Sequence, residues 1–176
     1  MSNIGDKKLN KKKVYPEKSI LLDNDVTVVD QVVDQIGDYI KQLFDEDDVH
    51  GLILGIYEII LNAIEHGNLE INYAEKSRLM EQEHYYDELI RRAKQPNYED
   101  RKVHISYSHN KDTFSITVAD NGNGFDWRNL VHPKDRLLAL HGRGITLARF
   151  YFDDVTFNDK GNRVTLIKKI KHDKNR

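Results

Sequence analysis

Glu58 and Asn62 stand one helical turn apart in the run GIYEIILNAIEHGN, residues 55 to 68, and His66 follows one turn later. Their neighbours Ile56, Ile59, Ile60, Leu61, Ala63 and Ile64 leave this helix almost no solvent side. A carboxylate and an amide in that setting must pair, meet water or face a cavity. The pair suits a divalent cation or a polarised water. Mg2+ takes hard oxygen ligands and usually keeps several waters, filling the rest of its shell from substrate phosphates, and an Asn oxygen can serve as one ligand. A carboxylate reaching the same region could accept a proton from the attacking group, or orient it. The same two side chains could instead satisfy backbone groups inside the fold.

Two glycine-bearing segments could complete such a site. ADNGNGF, residues 119 to 125, contains Asn-Gly, the commonest tight hairpin turn, and Asp often opens one. A hairpin needs a second strand directly after its turn, whereas DWRNLVHPKDRLLAL supplies a proline and no alternation. The loop therefore leads away from the sheet. Gly122 and Gly124 then suggest a backbone that passes close to something, with Asp120 fixed at a strand end as an acceptor. In HGRGITLARF, residues 141 to 150, Gly142 and Gly144 precede an apolar helix. Its free N–H groups and dipole could hold phosphate oxygens, with Arg143 adding charge, although a linker and an ordinary helix start would look the same.

The elements that must position these residues follow from periodicity. KSILLD can form a short strand, and Val29, Val32, Val33, Ile36, Ile40 and Leu43 fall near helical spacing despite their β-branching. The helix carrying Glu58 runs roughly from Asp48 to His66 and stops at HGN, where Gly67 can take the left-handed C-terminal position. Residues 72 to 100 are charged and rich in helix formers, which predicts one or two exposed helices ended by Gln95-Pro96. Leu79, Tyr86, Leu89 and Ile90 could give these an apolar stripe, for packing on the same domain or for docking a partner. From Lys102 the period changes to two, with VHISYS and TFSITVAD around a polar turn, and DVTFN and RVTLIKKI make a second hairpin. This order predicts an α+β fold, a two-layer α/β sandwich with a mostly antiparallel mixed sheet and helices on one face. Hairpins in place of alternating crossovers argue against a doubly wound parallel fold.

Composition sets the remaining bounds. A chain of 176 residues reads as one domain over 15–176, preceded by a Lys-rich tail over 1–14 that is expected to be solvated and flexible. There is no cysteine, so thiolate chemistry and disulfides are excluded. Charged residues make up 32% of the chain, yet the formal net charge is -2, so no global field points to direct nucleic-acid or membrane binding. No signal-peptide core and no membrane-length apolar run is evident, and a soluble cytoplasmic protein is expected.

Taken in order, E-x-x-x-N-A-x-x-H-G, a strand ending D-N-G-x-G, and G-x-G-I opening a helix resemble the N, first-glycine and second-glycine boxes of the histidine-kinase-like ATPase superfamily. That superfamily has the Bergerat nucleotide-binding fold and includes gyrase, heat-shock chaperones and histidine kinases. The resemblance runs from about Ser19 to Lys169. Within it, NAIEHGN, the ending FNDKGNRVTLIKK and a lid of about twenty residues between Asp120 and Gly142 are similar to the anti-sigma factor and serine-protein kinase branch.

The resemblance implies ATP or ADP and Mg2+ as cofactors. It implies Glu58 as general base or water-polarising carboxylate and Asn62 as Mg2+ ligand. Asp120 would bond the adenine amino group, Gly122 and Gly124 would shape the adenine pocket and lid hinge, and Gly142, Arg143 and Gly144 would approach the phosphates. His66 matches a frequent histidine that can pin the helix end. The implied function is an anti-sigma regulator that phosphorylates an anti-anti-sigma (STAS-type) partner on serine or threonine and sequesters a sigma factor, with homodimer formation also implied by the resemblance. Two alternatives share the same boxes: a nucleotide-gated binding module without kinase activity, and a catalytic domain acting with a separate phosphoacceptor histidine. The segment from about 72 to 100 departs from the shortest members as a helical insertion.

Overall fold

The computed structural model describes residues 15–129 and 144–172. The basic tail, Gly142, Arg143 and most of the expected lid lie outside the described residues. Two hairpins and an N-terminal strand make one five-stranded sheet in the order β1-β2-β3-β5-β4. The strands are β1 (Lys18–Leu22), β2 (Val103–His109), β3 (Thr113–Ala119), β4 (Asp154–Phe157) and β5 (Arg163–Lys169). Every pairing among them is antiparallel, so the sheet is more uniform than the mixed one expected.

Alternation decides which face is covered. Val103, Ile105 and Tyr107 of β2, Phe114, Ile116 and Val118 of β3, and Val164 and Leu166 of β5 are buried on one face. The opposite face carries Ser106, Thr117 and Thr165, the last two joined by their hydroxyls at 2.9 Å. Helix α1 (Val29–Ile40) and helix α2 (Glu46–Asn62) cover the apolar face with Val29, Val33, Ile36, Ile40, Leu52, Ile56, Ile59 and Ile60. Each such side chain contributes roughly 1.5–3 kcal/mol by leaving water. That burial outweighs the weak helix propensity of the valines in α1.

Helix α2 starts where Asp45 Oδ1 accepts from the Asp48 backbone N–H at 3.0 Å, with Glu46, Asp47 and Asp48 in the first turn complementing the dipole. Lys168 and Lys171 reach Asp48 at 3.4 and 2.8 Å, tying this helix start to the end of the sheet. At its other end the helix widens into a π turn over Ala63–Asn68. Gly67 does not take the left-handed conformation expected of it; positive φ falls instead on Glu70, at 54°. The reason for glycine at 67 is space, because a Cβ there would lie 2.4 Å from the Asp120 carboxyl carbon.

Residues 72–100 fold as two helices, α3 (Tyr73–Glu81) and α4 (Tyr85–Ala93). Leu79, Tyr85 and Leu89 are buried, while Tyr86 and Ile90 of the expected stripe are exposed. Lys76 of α3 pairs with the buried Glu65 at 2.5 Å, and Arg92 of α4 binds Glu75, Glu88 and the Leu69 carbonyl. These helices thus pack on the domain itself. Helix α5 (Gly144–Tyr151) lies along α2 and leads into β4.

Candidate functional site

The C-terminal half of α2, the π turn, the loop after β3, the start of α5 and the β4–β5 turn surround a cleft of about 600 Å³. That is the scale of a small-molecule or cofactor site. Ile59, Ala63, Val118, Ile145 and Val164 give it an apolar floor. Two aromatic pairs flank it: His66 with Tyr73, ring centres 4.4 Å apart, and Phe125 with Phe157, edge to face at 5.6 Å.

Asp120 sits at one end. Its Oδ1 accepts from the Gly122 N–H at 2.8 Å, and its backbone is held on both sides by Asn162, which accepts from the Asp120 N–H at 3.0 Å and donates from Nδ2 to the Asp120 carbonyl at 2.9 Å. Burial pushes the carboxyl up to about 6, against the smaller opposing effects of the Gly122 bond and of the Lys160 and Arg101 charges. The group is an acceptor with spare capacity in a partly dry place. Gly122 packs where a Cβ would meet the Gly67 carbonyl at 2.1 Å, so two glycines let the π turn and the loop touch. Gly124, at φ 75°, lies against the Lys160 carbonyl, where a Cβ would approach to 2.0 Å.

Asn62 lines the cleft, and Gly144 meets it there. A Cβ on Gly144 would lie 2.6 Å from Asn62 Nδ2 and 3.0 Å from Glu58 Oε2, so the first residue of α5 closes on both side chains. Glu58 stands one turn back from the lining residues, against Gly144. Burial and the nearby Glu65 raise its carboxyl above the usual range, and Lys76 opposes them. Among the described residues neither the Glu58 carboxylate nor the Asn62 amide has a hydrogen-bond partner. The reading in which they satisfy backbone groups therefore has no support there.

His66 pins the end of the helix: its Nδ1 bonds the Ile71 carbonyl, and burial depresses its basicity. The structure thus brings Glu58, Asn62 and Gly144 to one corner and Asp120, Gly122 and Gly124 to the other end, with Gly142 and Arg143 outside the described residues. Sequence reasoning missed the residues that hold the loop. Asn68, fully buried, accepts from the Asn121 N–H at 2.7 Å, and Glu70 accepts from Asn123 Nδ2 at 2.8 Å. On the other side Asn158 Oδ1 accepts from the N–H groups of Gly161, Asn162 and Arg163, and Lys160 Nζ donates to the Gly122 carbonyl at 2.8 Å. The one available signal was the pair of asparagines around the glycine turn NDKGN, since Asn side chains commonly bond nearby turn amides.

A family model described as a histidine kinase-like ATPase domain matches residues 22–168. No curated protein matches the chain.

Proposed function

The chain belongs to the histidine kinase-like ATPase domain family, and from that membership we propose an ATP-binding regulator that transfers phosphate to serine or threonine of an anti-anti-sigma (STAS-type) protein and sequesters a sigma factor. The observation that carries the reading is the corner of Glu58, Asn62 and Gly144, two polar side chains without a hydrogen-bond partner among the described residues, facing a helix start at the far end of a cleft from Asp120.

The residues present fit an adenine nucleotide with Mg2+. Asp120 offers a half-buried acceptor suited to an exocyclic amino group, and the apolar floor suits a base. Gly144 lets the start of α5 close on Asn62 and Glu58, where a Cβ would not fit, and helix N-termini favour phosphate oxygens. Asn62 would contribute its oxygen to Mg2+. When bound, MgATP supplies the phosphoryl group and a cation that neutralises its charge. Glu58, held above the usual carboxylate range, is suited to accept the proton of an incoming hydroxyl at its Oε2. The remaining catalysis is positioning, which rigid elements on both sides of the cleft provide. A cytoplasmic setting and a homodimer belong to the same proposal; the lack of cysteine agrees with a reducing compartment.

Isothermal titration with ADP and a non-hydrolysable ATP analogue, with and without Mg2+, tests the first half. Saturable Mg2+-dependent binding is expected, and a folded protein that binds neither nucleotide would end the reading. For the second half, γ-labelled ATP is incubated with the protein and a panel of STAS-type proteins. Acid-stable label on a partner is expected, and Glu58→Ala should abolish it while sparing nucleotide binding. Acid-labile label would mark a histidine acceptor instead, and binding without any transfer would leave a nucleotide-gated binding module.

A further inference from the structure

Glu70 is held at φ 54°, one of two non-glycine residues at positive φ among those described, and its side chain lines the cleft. Glu70 takes the left-handed position that ends the π turn, where the Ile71 N–H reaches back to the Glu65 carbonyl, a place that glycine usually fills. Here the surroundings are specific. Glu70 Oε1 accepts from Asn123 Nδ2 at 2.8 Å and from Arg101 Nη1 at 2.9 Å, and the same Arg101 nitrogen donates to the Asn68 carbonyl at 2.8 Å. Asn68 in turn holds the Asn121 N–H. The loop from Asp120 to Gly124 is therefore fastened at alternate residues, 121 and 123, from the root of the inserted helices. Arg101, just beyond α4, and Glu70, just before α3, close that root on a single carboxylate. A glycine at 70 would satisfy the backbone without strain, so what the acid adds there is its side chain.

We propose that Glu70 is a positioning residue for base recognition: by holding Asn123 it keeps the loop where the Asp120 carboxylate meets the edge of the base, and so sets the preference for a purine with an amino group at C6 over one with an oxo group. This rests on the nucleotide reading above. A 6-amino group donates to a carboxylate, whereas a 6-oxo group opposes it oxygen to oxygen, and a site built for a donor rejects the analogue only while it cannot relax. A loosened loop lets Asp120 turn away and water enter. Discrimination should then fall more than affinity, because phosphate contacts lie at the other end.

The experiment is isothermal titration of the full chain with ATP and with inosine triphosphate, together with thermal melting without nucleotide, for the unaltered protein, Glu70→Gly, Glu70→Gln and Asn123→Ala. The unaltered protein is expected to prefer ATP at least tenfold. Glu70→Gly should melt no lower than the parent, because glycine accepts the backbone conformation, yet lose most of that preference, and Asn123→Ala should lose it equally. Glu70→Gln should keep it, since an amide oxygen accepts the same two bonds. ATP bound by Glu70→Gly with its preference intact overturns the inference alone, as does a parent that binds both nucleotides equally; a lowered melting point with an unchanged preference makes Glu70 merely structural. A parent that binds neither nucleotide removes the nucleotide reading and this inference with it.

Discussion

At the Asp120 end of the cleft the loop from 120 to 124 is bonded from two sides, by Asn68 and Glu70 on one and by Lys160 and Asn162 on the other. At the Glu58 end the carboxylate and the Asn62 amide have no hydrogen-bond partner among the described residues, and what meets them is a glycine. On the nucleotide reading proposed above, the difference is what two tasks require. Reading a base depends on holding one acceptor still, whereas charge arriving with a ligand needs polar groups that nothing else has claimed.

Two alanine substitutions put the contrast to its strongest test. At Gly122 the new methyl would meet backbone, the Gly67 carbonyl oxygen at 2.1 Å and its carbon at 2.6 Å, so the π turn and the loop would have to part. Gly122→Ala should cost about 3 kcal/mol or more, read as the midpoint of urea unfolding. At Gly144 the nearest atoms are Asn62 Nδ2 and Glu58 Oε2, ends of side chains that can swing. Gly144→Ala should therefore cost no more than about 1–2 kcal/mol, partly offset by alanine's helix propensity, while the Mg2+-dependent part of ATP affinity is lost. Equal losses of stability at the two glycines would erase the distinction between a rigid end and an open one.

Asp120→Asn sharpens the comparison from the other direction. A carboxyl held at about 6 in the fold, against an ordinary 3.8, costs stability above pH 6, and the cost is relieved as the pH falls through 6 towards 4. The asparagine variant should accordingly be more stable than the parent by about 1–2 kcal/mol at pH 7.5, with the gap closing by pH 4. It should also bind ADP about tenfold or more weakly, since a bond to a charged acceptor is lost. Melting curves across that pH range check the first expectation and titration the second. A variant less stable than the parent at pH 7.5 would mean that the loop needs the charge for its own folding.

Much of this was legible in the residues. The polar stripe on an apolar helix, the glycines after a strand and the glycines before a helix are local signals, and the strand period gave both hairpins. What stayed hidden depends on tertiary neighbours. Gly67 read as a helix stop because glycine at such an end usually takes positive φ, but its use is to admit Asp120, a residue 53 positions away in sequence. Glu70 carried no sign of its strained backbone, because glutamate is rarely chosen for one. The spacing of apolar residues in the insertion runs the expected stripe through Tyr86, whereas the helix turns Tyr85 inward; two adjacent tyrosines give periodicity nothing with which to choose.

The smallest effect expected is at Lys160, which touches the Asp120 end twice over: its Nζ donates to the Gly122 carbonyl, and its charge favours the ionised Asp120. Lys160 is itself exposed, so Lys160→Met should cost only about 0.5–1 kcal/mol in stability. Its effect on pH dependence is more telling. On the nucleotide reading, adenine binding favours the carboxylate, so ATP affinity should fall as the pH drops below about 6 in the parent. Without the lysine the Asp120 carboxyl rises further and that fall should begin at higher pH. Titrations from pH 5 to 8 separate the two contributions: a shifted profile shows the lysine acting as a charge, and a uniform loss at every pH shows it acting only as a strut beneath Gly122. In the first case the β4–β5 turn sets the protonation of the proposed base-reading group as well as its place, which would make the rigid end of the cleft an electrostatic device and not only a mechanical one.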